Sequence, residues 1–270
     1  MTLPVWLSGH GVPLIFLHGL GSDASDSLRD LGALPGVRLA VADQRGHGRA
    51  LPVHGGQFGL DSLVADLHAV VSVLRWPEPV IGGGSMGAAV ALRYAMTRPA
   101  QCRALVLVAP AIADEPPAAA RMIAAIADRI EAVGVERAVA EIRAQRNSAR
   151  RPGLTSQAGQ APSPPDRALA QPLDDDGLDC WLRQDGRSLA IAMRAVQSWR
   201  PIASLSELDD VKLPVALVGI RNDPLHPLEL AADLHRRFPV SHLEIIGSPA
   251  RARQPAAIGE AVLRGLARLG

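Results

Sequence analysis

Lysine is nearly absent. Lys212 is the only one in 270 residues, and every other basic side chain of this type is an arginine. Lysine-nucleophile and Schiff-base chemistry therefore has a single candidate, which sits just before an apolar run, where a solvated end is the simpler reading. Aromatic residues make up 3% of the chain, so the core has to be built mainly from Ala, Val, Leu and Ile. Two cysteines, Cys102 and Cys180, cannot make a disulfide framework. No run approaches the ~18 apolar residues of a membrane span. The first residues carry no basic segment and too short an apolar stretch for a signal peptide, so the sequence reads as cytoplasmic with no membrane partner. Neither sign of charge dominates: a formal net charge of +1 argues against a nucleic-acid partner, which usually leaves a strong basic imbalance. Histidine is missing from two long stretches, between His68 and His226 and after His242.

What is present is a globular composition, 48% hydrophobic and 20% charged, in a chain long enough for one large α/β domain. Short apolar runs at Pro13 to Leu17, Arg38 to Ala42, Pro79 to Gly82, Ala104 to Val108, Pro214 to Gly219 and His242 to Ile246 are strand candidates. Their continuous apolarity suits strands buried on both faces. Helical patterns lie between them at Leu60 to Leu74, Ser85 to Met96, Pro227 to Phe238 and Ile258 to Leu269. Such alternation implies a mostly parallel sheet with helices on both faces. The alternation stops between about Ile112 and Leu205. There, Ala118 to Arg146 is amphipathic with a break near Gly134, Arg151 to Gly177 reads as a long loop rich in Pro, Gly, Ser and Gln, and Leu178 to Trp199 is helical again. The expected organisation is a core of residues 1–111 and 206–270 interrupted by an insertion over 112–205.

Val80-Ile81-Gly82-Gly83-Gly84-Ser85-Met86-Gly87 is a strand, a sharp turn and the start of a helix, and Gly83-x-Ser85-x-Gly87 fits a nucleophile elbow. So tight a turn needs small neighbours. It lifts the serine hydroxyl above the sheet edge and sets it at a helix N-terminus, where free N–H groups and the helix dipole favour a developing negative charge. In such an elbow one oxyanion donor is the N–H after the serine, here Met86, and the other comes from the loop after an earlier strand, where Leu20 is the candidate. His18 in Leu17-His18-Gly19-Leu20 is read as holding that loop. Ala42-Asp43-Gln44-Arg45-Gly46-His47-Gly48 is read as a turn fixed by Asp43 and Arg45, with glycines at positive φ.

These motifs resemble those of the α/β-hydrolase superfamily, and the resemblance covers nearly the whole chain. LHGLGSDA (17–24), ADQRGHG (42–48), GGGSMG (82–87) and VGIRNDPLHP (218–227) are similar to small enol-lactonase, haloperoxidase-like and C–C hydrolase members. The resemblance implies an acid after a late strand, a place that Asp223 fits, and a helical lid over the pocket, a place that the 112–205 insertion fits. Its Ala-, Met- and Ile-rich helix suggests an apolar pocket. The fold itself hosts hydrolases, lyases, transferases and non-enzymes.

The resemblance also implies a histidine after the last strand, and residues 245–255, Ile-Ile-Gly-Ser-Pro-Ala-Arg-Ala-Arg-Gln-Pro, contain none. The triad is therefore degenerate by position, Ser-Asp-(His). Three readings stay open. His226, three residues after Asp223, could reach Ser85 and serve as the base; His235 and His242 read as structural. Alternatively the reaction is non-hydrolytic, a lyase, cyclase or isomerase step using the oxyanion hole and Asp223, with Ser85 only a hydrogen-bond donor. The third is a catalytically silent binding protein. The sequence leads to a small apolar carbonyl substrate, an ester, thioester, lactone or enol. It carries no dinucleotide fingerprint and no metal-ligand spacing, so no cofactor or metal is expected.

Overall fold

A computed structural model describes residues 3–50, 52–54, 56–149, 175–247 and 256–269. The Pro- and Ser-rich loop expected over 151–177 lies mostly outside those residues, as does most of the segment after the last strand.

Among the described residues, seven strands form one sheet: β1 (Val5–Gly9), β2 (Val12–Leu17), β3 (Val37–Ala42), β4 (Val80–Gly84), β5 (Ala104–Val108), β6 (Val215–Arg221) and β7 (Ser241–Gly247). The order across the sheet is β1-β3-β2-β4-β5-β6-β7. Only β1 is antiparallel to its neighbour; the other pairs are parallel. The side-chain period of two explains why the inner strands are apolar throughout. In β2, Ile15 and Leu17 enter a core on one face, while Leu14 and Phe16 enter a second core on the other.

Each core is closed by helices. Helices α2 (Leu60–Leu74) and α3 (Met86–Thr97) cover the first face, with Leu63, Leu67 and Tyr94 in its core. Helix α1 (Ala24–Leu31) and the C-terminal helix, Ala257–Arg268, cover the second through Leu31, Ile258 and Val262. Two of these elements were not expected from the sequence. β1 is a short edge strand whose residues are only half-buried or exposed, so it lacks the continuous apolar run of the inner strands. Helix α1, Ala-Ser-Asp-Ser-Leu-Arg-Asp-Leu, is only eight residues long; its three apolar residues, Ala24, Leu28 and Leu31, face the second core, and its start is set by the Asp23 carboxylate accepting from the N–H groups of Ser25 and Asp26.

Between β5 and β6 the chain leaves the sheet. Helices α4 (Ala120–Val133), α5 (Val135–Ala149), α6 (Asp175–Leu182) and α7 (Gly186–Ala195) build a separate small core from Ile130, Val139, Leu178 and Leu189, among others. Gly134, at φ 83°, breaks α4 from α5 where the sequence break was expected. The stretch read as one helix over 178–199 is divided, because Asp185 caps a new start by accepting from Ser188 N–H. The insertion is tied to the core by polar contacts. Arg183 pairs with Asp23 at 3.1 Å and Asp26 at 2.8 Å. Gln184 Oε1 accepts from Gly48 N–H at 2.8 Å, and Ser188 Oγ from Val53 N–H at 3.0 Å. Helix α8 (Leu228–Arg237) follows β6, and the C-terminal helix is α9. Among the described residues no helix is long and apolar enough to cross a membrane.

Candidate active site

Ser85 stands between the end of β4 and the start of α3, with φ 51° and ψ −112°, a conformation L-residues rarely adopt. Its own N–H is anchored to Val108 O of the next strand at 2.9 Å. The flanking glycines follow from close approach. A Cβ on Gly83 would lie 2.3 Å from the Gly87 carbonyl, and one on Gly87 would lie 2.3 Å from Leu17 O. The turn can close only if both positions lack a side chain, which is why the strained serine can be held above the sheet edge.

The loop after β6 brings the second and third groups. Asn222 takes φ 56°, a left-handed conformation that asparagine tolerates, and this turns the chain back over the sheet edge. Pro224 and Pro227 stiffen the segment that follows. Asp223 Oδ1 accepts from Leu225 N–H at 2.9 Å. Its other oxygen, Oδ2, lies 2.8 Å from His226 Nδ1, and His226 Nε2 lies 2.9 Å from Ser85 Oγ. Carboxylate, imidazole and hydroxyl thus form one chain of hydrogen bonds, with the first two drawn from a four-residue segment and the serine 141 positions away from the histidine. Burial pushes the Asp223 carboxyl up, but the hydrogen bond and charge of His226 and the backbone donors of Leu225 and His226 outweigh it and hold the group below its usual range. Ionised Asp223 can only accept, so His226 Nδ1 carries the proton and Nε2 accepts from the serine hydroxyl.

All three side chains face one cavity of about 470 Å³, which Leu20 and Met86 also line. A Cβ on Gly19 would sit 3.4 Å from Ser85 Cβ, so the loop carrying Leu20 lies directly against the serine. Met86 opens α3, and the first N–H groups of a helix have no acceptor within it. Much of the cavity wall comes from the insertion: Met122, Ile123, Ile126, Trp181, Met193 and Val196. Cys180 lines it too, but burial, with a smaller contribution from Asp26, pushes its thiol up to about 12, leaving it a poor nucleophile.

The remaining motif residues hold loops. Asp43 accepts from Ala24 N–H and Arg49 N–H, both at 2.7 Å, and Arg45 grips both oxygens of Asp66 at 2.6 and 2.7 Å. Gly46 and Gly48 have φ of 73° and 55°. His235 bonds Ser241 and His242 bonds Glu244, each at 2.8 Å. Sequence reasoning missed the contact of Trp181 with the loop before α1: a Cβ on Gly21 would lie 2.4 Å from the indole nitrogen. Nothing in the residues around Trp181 signals it. Among the described residues no group of three or more His, Cys, Asp or Glu is arranged to hold a metal ion.

A mostly parallel sheet, a strained serine between strand and helix, and a helical insertion after β5 define an α/β hydrolase. Residues 12–160, over half of the chain, match the family described as serine aminopeptidase, S33, and the chain belongs to that family. The chain is 38% identical over 99 residues to a proline iminopeptidase of Neisseria meningitidis, an alignment covering 36% of this chain and 32% of the relative. The match thus spans about a third of that relative's length. Among solved structures, a thermophilic esterase from Thermogutta terrifontis superposes with a TM-score of 0.75 at 20% identity, covering 99% of this chain and 93% of the other. The enol-lactonase from Burkholderia xenovorans LB400 superposes with a TM-score of 0.73 at 15% identity, covering 98% and 96%.

Proposed function

We propose that the chain is a serine hydrolase acting on a small, largely apolar carbonyl compound: an ester, thioester, lactone or enol ester. The observation that carries the reading is the position of His226, 2.9 Å from Ser85 Oγ and 2.8 Å from Asp223. A serine kept only as a hydrogen-bond donor needs no imidazole acceptor against its hydroxyl, so this arrangement favours hydrolysis over the lyase, cyclase and silent readings.

In the proposed reaction Ser85 Oγ attacks the carbonyl carbon while its proton passes to His226 Nε2. The carbonyl π electrons move onto oxygen, and the N–H groups of Leu20 and Met86 receive the developing charge. When the tetrahedral intermediate collapses, the bond to the leaving group breaks and His226 returns the proton to it. Water repeats the sequence on the acyl-enzyme, giving up its proton to His226 and freeing Ser85. Asp223 stays ionised throughout and stabilises the imidazolium. The insertion acts as a lid, with residues 1–111 and 206–270 as the catalytic core. Its apolar side chains exclude bulk water and favour an uncharged acyl group over a charged one.

A panel tests the substrate class: p-nitrophenyl esters from acetate to octanoate, an acyl thioester, a γ-lactone and prolyl p-nitroanilide. Turnover of esters or lactones that disappears in Ser85→Ala and His226→Ala is expected. Faster cleavage of the prolyl anilide than of every ester would assign an amino-terminal peptide substrate instead. Full ester turnover in folded His226→Ala would overturn the proposed base.

A further inference from the structure

Two buried histidines outside the triad form a reciprocal clamp between the loop after β2 and the turn after β3. His18, on the first, accepts Gln44 N–H of the second at Nε2, 2.9 Å. His47, on the second, accepts Gly21 N–H of the first at Nε2, 3.1 Å. Each ring has its other nitrogen beside a backbone oxygen of its own loop, His18 Nδ1 to Gly19 O at 2.8 Å and His47 Nδ1 to Arg45 O at 3.1 Å. The Gln44 side-chain amide adds a further tie to His18 O at 2.7 Å. The two rings stand 5.2 Å apart between centroids, and both residues are 1% exposed.

We propose that His18 and His47 are positioning residues for the hydrolytic site, two neutral imidazoles that hold the 18–21 loop against Ser85 so that Leu20 N–H faces the serine. The proposal rests on the hydrolytic reading above. Each Nε2 takes a backbone N–H, so it must be the unprotonated nitrogen, and each Nδ1 donates to a carbonyl, so it must carry the hydrogen. A charged ring has no acceptor and would break its cross-loop bond. The surroundings keep both neutral. Burial holds His18 below its ordinary range against the pull of Asp43, Asp23 and Asp26. Burial, then the neighbouring His18, take His47 down to about 3. Asp23 and Asp26 are themselves engaged by Arg183, Asp43 is engaged by backbone N–H groups, and the Phe58 ring lies 5.9 Å from that of His47 between centroids. The loop so held brings Gly19 against Ser85 and Leu20 into the cavity wall. A shift of about 1 Å there moves an oxyanion donor out of range.

The test compares covalent labelling of Ser85 by an alkyl fluorophosphonate in wild type, His47→Leu and His47→Gln. Glutamine places an acceptor oxygen near the site of Nε2 and leucine does not. In His47→Leu the maximal labelling rate should fall about 10- to 100-fold with half-saturation unchanged, and glutamine should restore most of it. Wild-type labelling with an unchanged maximal rate in folded His47→Leu overturns the clamp and leaves the hydrolytic reading standing. No labelling of wild type overturns both. Should either variant fail to fold, ¹⁵N imidazole spectra of the wild type at neutral pH decide. Nδ1–H tautomers for both His18 and His47 are expected, and an Nε2–H or charged ring at either overturns the proposal.

Discussion

Replacing Asp223 with asparagine changes one atom of the proposed triad and inverts its logic. In the wild type the Oδ2 accepts from His226 Nδ1 at 2.8 Å while Oδ1 is held by Leu225 N–H at 2.9 Å. The Leu225 bond fixes the orientation of the asparagine amide: its oxygen must keep that donor, so its NH₂ faces His226. An NH₂ can only donate, so Nδ1 becomes the acceptor and the hydrogen moves to Nε2, the nitrogen that stands 2.9 Å from Ser85 Oγ. Serine then faces a donor and has no base. The corresponding change in a well-studied serine protease costs about 10⁴-fold in kcat, equivalent to roughly 5.5 kcal/mol of transition-state stabilisation. We expect a loss of about 10³- to 10⁴-fold in the rate of Ser85 acylation by a fluorophosphonate or a p-nitrophenyl ester, with thermal stability nearly unchanged. Stopped-flow acylation and a melting curve on the same sample are sufficient. A loss under about tenfold in a folded variant would refute the reasoning, because it would mean that the Asp223–His226 hydrogen bond does not set the tautomer that matters.

Other consequences are structural. Arg183→Ala should loosen the insertion, raising KM for ester substrates more than it lowers kcat, because the arginine joins α6 to Asp23 and Asp26 at the mouth of α1. Burial raises the Asp23 carboxyl, but the bonds from Ser25 and Arg183 outweigh this and lower it below its ordinary value of 3.8. The stability this carboxylate contributes is therefore complete above about pH 4 and is lost as pH falls below it. Denaturant titrations should show wild type and Arg183→Ala converging at low pH, and a gap that widens on acidification would contradict the assignment. Gly87→Ala places a Cβ 2.3 Å from Leu17 O and should cost roughly 1–3 kcal/mol in unfolding free energy while disturbing the elbow. An unaltered melting temperature would show that β2 and α3 can separate freely.

The strands that build the sheet interior were legible because burial on both faces leaves a continuous apolar run, as in Leu14-Ile15-Phe16-Leu17. β1 was not, because an edge strand with one neighbour has no such requirement. Helix α1 was hidden for a different reason: it is eight residues long with three apolar residues, and Arg183, which pairs with Asp23 and Asp26, is about 160 residues away in sequence. The elbow is a local object. Gly83, Ser85 and Gly87 are all the turn needs, so they could be read directly. Asp223 could be proposed as the acid from chain order, but the relation between His226 and Ser85 is set by how far the β6–α8 loop reaches over the end of β4. Sequence could name His226 as one candidate and could not rank it against a site with no base at all. The cross-loop bonds of His18 and His47 were invisible for the same reason. Their motifs showed two turns, and only the packed loops show that each turn's histidine takes the other's backbone hydrogen.

The central claim is that Ser85 is an activated nucleophile whose base is His226. The most direct measurement is intact mass after exposure of wild type, Ser85→Ala and His226→Ala to an alkyl fluorophosphonate, with the modified peptide mapped. A single adduct on Ser85 in the wild type, absent from both folded variants on the same timescale, is the predicted result. An unlabelled wild type, or a His226→Ala variant labelled as fast as wild type, would contradict it.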